Sequence, residues 1–492
     1  MDSKRRRLTI LVSIAFGAFA LRAMWLLRQG EPWAMTPDSI GYLALAQGLI
    51  HRCGFAVWTR GTCGPPEMLR TPGYPAFIAF LGGNWRAVIL TQAILGGVLV
   101  LALGLFALRY FGFRAALVAA VLIATDVPSI LASKSLMSEP AFQFVLAIGV
   151  LLLVSAALSK EKRHGLTKAA CGGLLVAAAS LIRPVGELLA PFLWLPFALS
   201  TSQPARQRIY LSVTAVTISA GILLCWAVRN YSVAQTWTLS TDGAFAAYYY
   251  ATPPLLREDG HESIDTIRHE LVSRIQPKFE TSAAEFPGSI GDPDYDSLLV
   301  ALENKPSLGA SLYDVFAHAA RNHPLKETTI CTMGLLRLAF QPYSPGIGLR
   351  GLMRGESAAS TLAVPSDRRI AFNLTVFVTI AFQTIWLIFA WLGALMALVR
   401  TWRRWRSSYS AVVTALWAFT ILLLVAPTPF FGMRDLRYRT PVMPFLALLA
   451  GIGWFSGSEF FSSSKREIIS DFHDQARLGG SADPMWVAGK RE

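Results

Sequence analysis

The sequence is poor in charge. Asp, Glu, Lys and Arg make up 15% of its 492 residues, where soluble domains carry about 25%. Hydrophobic residues reach 53% and mean hydropathy is +0.44. No soluble core accounts for repeated apolar runs of about 20 residues, so the composition excludes a water-soluble protein and indicates a polytopic membrane protein. Acidic residues are the scarcer sign, 31 against 45 basic ones, for a net charge of +14. The basic surplus lies in short clusters between apolar runs, as orientation signals do, so nucleic acid is excluded as a partner. Cysteine is also scarce, with five in the chain, and none has metal-ligand spacing. No small-residue cleavage site follows LTILVSIAFGAFAL. MDSKRRR and that run therefore read as a retained first span with a cytoplasmic N-terminus. A clear internal repeat is lacking too.

What is present is a series of about ten apolar segments. They cover roughly residues 8–28, 87–108, 115–132, 139–158, 169–182, 185–200, 209–228, 370–399, 409–427 and 440–457. The expected fold is an all-α polytopic membrane protein with a mixed, mainly helical external segment. With KRRR inside, parity puts the basic stretches RYFGFR (109–114), SKEKRHGLTK (159–168), the Arg206/Arg208 loop and RTWRRWR (400–406) in the cytoplasm. All of them are basic, so the count is self-consistent. The expected organisation is an N-terminal module at 1–228 whose first external loop is 29–86, an external segment at 229–369, C-terminal spans at 370–457 and a cytoplasmic tail at 458–492. ETTICTMGLLRLAF, within 329–342 and its flank, is short and carries Arg337, so it reads as an interfacial or re-entrant helix. The Arg183-Pro184 pair either ends one span or breaks a long helix.

Cys171 and Cys225 fall within spans and read as small buried apolar side chains. Cys53 and Cys63 lie in the first external loop, where a disulfide would close a short loop. Asp292, Asp294, Asp296 and Glu303 hold four positions of a calcium loop, but Ser297 replaces its glycine and Pro293 intrudes. A solvated acidic turn is the expectation there, and no metal site is expected in the chain.

Several charges stand on the external side, where the positive-inside rule does not call for them. They are Asp38 in TPDSIGY, Arg70 in LRTPGYP, Lys134 and Glu139 in SKSLMSEP, and the cluster GMRDLRYRTP with Arg434, Asp435, Arg437 and Arg439. Arg183 and Glu187 join them if the IRPVGELL break faces outward. Singly, each has an ordinary role: Asp38 as a helix N-cap, and the basic residues as anchors to lipid headgroups. Together, one carboxylate and several cations suit transfer of a sugar from a lipid-linked phosphate. The leaving group is then a phosphate, so fixed cations replace an acid. One carboxylate would deprotonate the acceptor from the opposite face, with inversion at the anomeric carbon.

The order TPDSIGY, RTPGYPAFIAFL, LMSEPAF, SLIRPVGELL, STDGAFAAYY and DLRYRTPVMPFLALLAG resembles the polyprenyl-phosphate-sugar-dependent membrane glycosyltransferases of the GT-C superfamily. The nearest kin in that resemblance are bacterial members related to protein O-mannosyltransferases and aminoarabinose transferases. It implies a GT-C-like bundle in a bacterial inner membrane with both termini cytoplasmic. It also implies a polyprenyl-phosphate-linked sugar as donor and a protein, lipid or glycan as acceptor. By that resemblance Asp38 is the catalytic acid of the first loop, and Arg70, Lys134, Arg437 and Arg439 stand near the carrier phosphate. Glu139, Arg183, Tyr42, Tyr74, Asp242 and Tyr438 organise the site. Many such enzymes have adjacent acids in the first loop, whereas Ser39 follows Asp38 here, so no cofactor or divalent metal is expected. A transporter or lipid flippase is the alternative; it would place ionisable groups near mid-membrane, as only Asp126 approaches here.

Overall fold

The computed structural model describes residues 3–27, 35–59, 61–159, 161–257, 263–275, 292–342, 366–403, 407–431 and 436–455. The chain is a helical bundle. Its elements run α1 (Ser3–Ala23), α2 (Pro37–Ile50), β1 (Ala56–Thr59), β2 (Thr62–Pro66), α3 (Gly73–Phe80), α4 (Trp85–Phe111), α5 (Phe113–Ala124), α6 (Val127–Ala132), α7 (Glu139–Ala157) and α8 (Lys162–Ile182). A 3₁₀ segment at Pro184–Phe192 leads into α9 (Leu195–Ala198) and α10 (Ala205–Ala234). The stretch after α10 holds α11 (Asp242–Ala246), a π turn at Ala247–Ala251, α12 (Thr252–Leu256), α13 (Ile264–Ile275), α14 (Pro293–Asn304), α15 (Leu308–Asn322) and α16 (Pro324–Phe340). The chain closes with α17 (Ser366–Arg403), α18 (Ser408–Val425), α19 (Thr428–Phe431), a 3₁₀ segment at Leu436–Val442 and α20 (Met443–Phe455).

Over their described residues the segments expected to span are mainly helical, with breaks at Thr125–Asp126 and Leu193–Trp194, and not all of them reach spanning length. Among the described residues five helices are long and apolar enough to cross a membrane: α4, α7, α8, α10 and the Phe377–Trp402 part of α17. Phe113–Ala124, Pro184–Ala198 and Tyr409–Val425 are apolar but shorter. Proline sets one boundary. Pro184 has no N–H and crowds the residue before it, so Arg183 is extended (φ −141°, ψ 126°) and α8 stops there.

The centre of the bundle is α20, which is buried from Met443 to Gly453. A helix apolar all round belongs inside a larger assembly. Close approach depends on small residues: a Cβ added at Gly451 would lie 2.4 Å from the Ala115 carbonyl oxygen. By contrast, α10 is largely exposed, and Ile209, Val213 and Leu224 face outward. Cys171 and Cys225, expected as buried filler, are exposed on α8 and α10 instead. On outward faces lipid takes the place of packing partners.

A second core joins the loop before α3 to the helices after α10: Leu69 packs with Phe245, Tyr249, Leu271, Leu298 and Leu302. β1 and β2 form an antiparallel ribbon, bridged by Cys53–Cys63 with Cα atoms 5.5 Å apart. It rests on α10 through Phe55 and Trp226, whose rings are 5.3 Å apart. The acidic stretch at 292–303 is not a solvated turn. Asp292 caps α14, accepting N–H bonds from Asp294 and Tyr295, while Asp296 and Glu303 are buried along that helix. The stretch at 329–340 is the second half of α16, an ordinary helix with Leu338 and Ala339 buried in the main core.

Candidate functional site

The site lies at one end of the bundle and draws on widely separated parts of the chain. α2 starts with a capping box: Thr36 Oγ1 accepts from Ser39 N–H at 3.2 Å, and Ser39 Oγ accepts from Thr36 N–H at 3.0 Å. Thr36 therefore does the capping, and the Asp38 carboxylate is left to face the interior. Ser39 Oγ also donates to the Leu136 carbonyl at 2.8 Å, which fixes α2 to the loop before α7. Arg70, from the loop before α3, sets its guanidinium against Gly41, one turn along α2 from Asp38. A Cβ at Gly41 would be 2.7 Å from the Arg70 guanidinium carbon, so a larger residue there would push the guanidinium aside. The Glu67 carboxylate holds Arg70 by its backbone N–H at 2.8 Å, and the guanidinium stands 5.5 Å from the Tyr42 ring centre.

The remaining charges come from helix ends. Glu139 opens α7 and is 1% exposed; Arg183 follows the last residue of α8. Arg183 Nη1 stands 2.6 Å from Glu139 Oε1 and donates to Ser138 Oγ at 3.0 Å. Its guanidinium lies 5.2 Å from the centre of the Tyr438 ring. Arg437 reaches in from the 3₁₀ segment, with Nη1 3.1 Å from Asp38 Oδ2 and 3.9 Å from Glu139 Oε1. The result is a line of alternating charge, Asp38–Arg437–Glu139–Arg183, with Arg70 alongside. Tyr42 stands 3.4 Å from Ser138 Oγ by its hydroxyl and packs edge-on to Tyr74, which lies one layer deeper and donates to Gln92 Oε1 at 2.6 Å.

Two adjoining cavities open on these groups. The smaller, of about 260 Å³, is lined by Asp38, Arg70, Arg183 and Arg437, together with Asp242 and Tyr250. The larger, of about 840 Å³, runs between Pro184–Leu188, Gln235–Ala244, Pro306–Asp314 and Ala426–Pro427. Small-molecule sites span ~300–1,000 Å³, mostly apolar with a few convergent polar groups. Enclosure pushes the Asp38 carboxyl up, but Arg437, and after it Arg70, pull harder and leave it below its usual value. Asp242 moves the other way, raised by burial more than Arg183 lowers it. Burial also pushes Tyr250 up to about 12.

Asp38, Arg70, Arg183, Arg437, Tyr42, Tyr438 and Asp242 thus line the cavities, with Glu139 and Tyr74 just behind. Arg439 does not join them. It is 0% exposed and donates to the carbonyls of Leu338 and Gln341, closing the C-terminal end of α16. A 3₁₀ helix turns about 120° per residue, so residues two apart point to different sides. A cation at carbonyls a helix leaves open is a structural role. Lys134 is also absent from both linings, and burial lowers its ammonium to about 8. Arg434 and Asp435 lie outside the described residues. Sequence reasoning passed over Ser138, Gly41 and Glu67, and it took Glu303, buried like Glu67, for part of a solvated turn. Of these only the Gly41 in SIGY carried a signal, as a glycine inside a helix.

Among the described residues no three of His, Cys, Asp and Glu gather as metal ligands, and Ser39, beside Asp38, is engaged by Thr36 and Leu136.

Fold and site together define a helical membrane protein with a cation-rich cavity at one end. No family model matches the chain, and no curated protein does. Among solved structures it is similar to the apo oligosaccharyltransferase of Archaeoglobus fulgidus, with TM-score 0.48 and 16% identity over 98% of this chain and 53% of that one. It is similar to the same organism's AglB in complex with an inhibitory peptide and a dolichol-phosphate, with TM-score 0.48, 15% identity and the same coverage. It is also similar to ArnT from Cupriavidus metallidurans bound to undecaprenyl phosphate, with TM-score 0.34 and 14% identity over 91% of this chain and 77% of that one. The chain spans about half the length of the oligosaccharyltransferases it matches.

Proposed function

We propose that the chain is an inverting glycosyltransferase of the GT-C kind, moving a sugar from a polyprenyl-phosphate carrier to an acceptor hydroxyl at the outer face of a bacterial inner membrane. The observation that carries this reading is the set of three arginines, Arg70, Arg183 and Arg437, around one small cavity that opens beside a larger one. Three guanidinium groups suit a phosphate ester that becomes a dianion as the sugar leaves. Arg437 is positioned by Asp38, and Arg183 by Glu139 and Ser138, so the donors are fixed before the charge develops. The cleft at Pro184–Leu188 and Gln235–Ala244 gives the acceptor or the first carrier isoprene units an apolar wall with polar edges. Acceptor choice belongs to the external segment, and lipid surrounds α10 and α17.

The test is transfer of radiolabelled sugar from polyprenyl-phosphate donors in membranes holding wild type or Asp38→Asn. Transfer by wild type and its loss in the variant supports the reading. Equal transfer by both refutes the role of Asp38. Accumulation of donor across vesicles with no transfer by wild type would establish a transporter instead.

A further inference from the structure

The two cavities share five residues: Tyr42, Arg183, Pro184, Asp242 and Tyr438. Asp242 is the one carboxylate that lines both. Asp38 borders the small cavity alone, and Glu187 and Asp314 border the large one alone. The reacting carbon must sit where the two meet, because its leaving phosphate needs the arginines and its attacker needs the open cleft. A proton acceptor for the attacker belongs at the same boundary.

The two aspartates at the small cavity differ in their attachments. Asp38 is held by Arg437 at 3.1 Å. Among the described residues no hydrogen bond or ion pair reaches the Asp242 carboxylate. Its backbone is nonetheless fixed: Asp242 N–H donates to Ser240 Oγ at 3.0 Å, Ser240 Oγ donates to the Leu69 carbonyl, and Thr241 N–H donates to the Met68 carbonyl at 2.9 Å. Those bonds hold Asp242 in register with Arg70 on the first external loop.

On this geometry, and resting on the glycosyltransferase reading, we infer that Asp242 accepts the proton of the acceptor hydroxyl, while Asp38 acts as a positioning residue for Arg437. In the step, the acceptor oxygen bonds to the anomeric carbon as the bond from that carbon to the phosphate oxygen breaks. The electron pair leaves on the carrier phosphate, between Arg70, Arg183 and Arg437. The hydroxyl proton passes to an Asp242 oxygen and from there to water, which returns the carboxylate for the next turnover. The charged groups facing Asp242 are Arg183, Asp38, Arg70 and Arg437. On the side of the large cavity Glu187 and Asp314 complete the set; Tyr42 and Tyr438 line both cavities and Tyr250 the small one. Burial, the largest influence on Asp242, raises it above the ordinary aspartate value, nearer to working pH than the ion-paired Asp38. Proton transfer is most effective when the base titrates near the operating pH.

Three variants of the full chain test this: Asp242→Asn, Asp242→Glu and Asp38→Asn, assayed across pH with donor concentration varied. General-base loss costs about 100-fold or more in kcat. Asp242→Asn is expected to fall by that amount with donor KM nearly unchanged and the acid limb of the pH profile gone. Asp242→Glu is expected to recover part of kcat with the acid limb displaced. Asp38→Asn is expected chiefly to raise donor KM and to keep the acid limb. Binding of a short-chain polyprenyl phosphate by each variant checks that it is folded. If Asp242→Asn does not bind, the Asp242→Glu profile decides, and an unmoved acid limb overturns the inference. It is also overturned if Asp242→Asn keeps wild-type kcat, or if the acid limb vanishes with Asp38→Asn instead. Transfer by none of the proteins, wild type included, removes the glycosyltransferase reading and this inference with it.

Discussion

Replacing Glu139 with glutamine should damage the protein more than the change of one atom suggests. Glu139 is 1% exposed and stands between two cations, Arg183 at 2.6 Å and Arg437 at 3.9 Å. Removing one partner of a buried ion pair costs about 3–5 kcal/mol, because the survivor stays desolvated without its counter-charge. Here Arg437 keeps Asp38, and Arg183 keeps Ser138 and the face of Tyr438. Arg183 is 15% exposed, which relieves it a little further. Those remaining contacts place the expected loss at the low end, about 3 kcal/mol, or somewhat over a hundredfold in the folding equilibrium. Reversible unfolding in mixed micelles, followed by tryptophan fluorescence, would measure it. A cycle with Arg183→Gln isolates the pair: the double variant should be less damaged than the sum of the singles by about 2–3 kcal/mol. A loss below about 0.5 kcal/mol for Glu139→Gln, the scale of an exposed pair, would refute the view that this carboxylate holds the arginines in place.

Arg437→Gln should raise donor KM by about tenfold or more, the worth of a charge-assisted hydrogen bond, while Arg439→Gln should leave donor KM unchanged and lower the unfolding midpoint. The reverse pattern would exchange their roles. Glu303 is buried with its carboxyl pushed well above the usual glutamate value, first by burial and then by Glu67, against the pull of Arg70. The folded chain therefore holds a proton that the unfolded chain releases, and this contribution falls as pH rises from the unfolded glutamate value toward the folded one. Glu303→Gln should match wild type near pH 4 and be more stable by about 1 kcal/mol or more near pH 8; parallel melting curves at the two pH values would contradict this. Serine at both Cys53 and Cys63 should cost about 2–3 kcal/mol for a loop this short, visible as a lower midpoint that reducing agent no longer moves.

The fold was largely legible because the bilayer imposes a simple requirement, about 20 apolar residues per crossing. Proline punctuation was legible too, in the break after Arg183. The site was legible only where a charge lay in a loop that the parity of apolar segments assigned to the outer side. Asp38, Arg70 and Arg437 could be selected in that way, and the structure brings them to one cavity. Arg437 and Arg439 could not be told apart, since both follow the same apolar-to-basic boundary, and only the tight 3₁₀ turn sends one to the cavity and the other to α16. Nor could the sequence show that Thr36 would take the cap and free Asp38. Glu303 looked like part of a solvated turn because an acidic run usually is one; its burial depends on Leu69 and α14 sharing a core. Such pairings are decided by contacts between distant segments, which leave no local pattern.

Asp38 and Arg437 meet although 399 residues separate them. A growing chain that ends after α18 holds Arg70, Glu139 and Arg183 but has no Arg437 to pair with Asp38. On the proposed function, activity would arrive late in synthesis, after α1 to α19 have been made, and a chain cut short before Arg437 should be inert rather than poorly controlled. Two fragments divided between α16 and α17, made together, would be expected to complement each other.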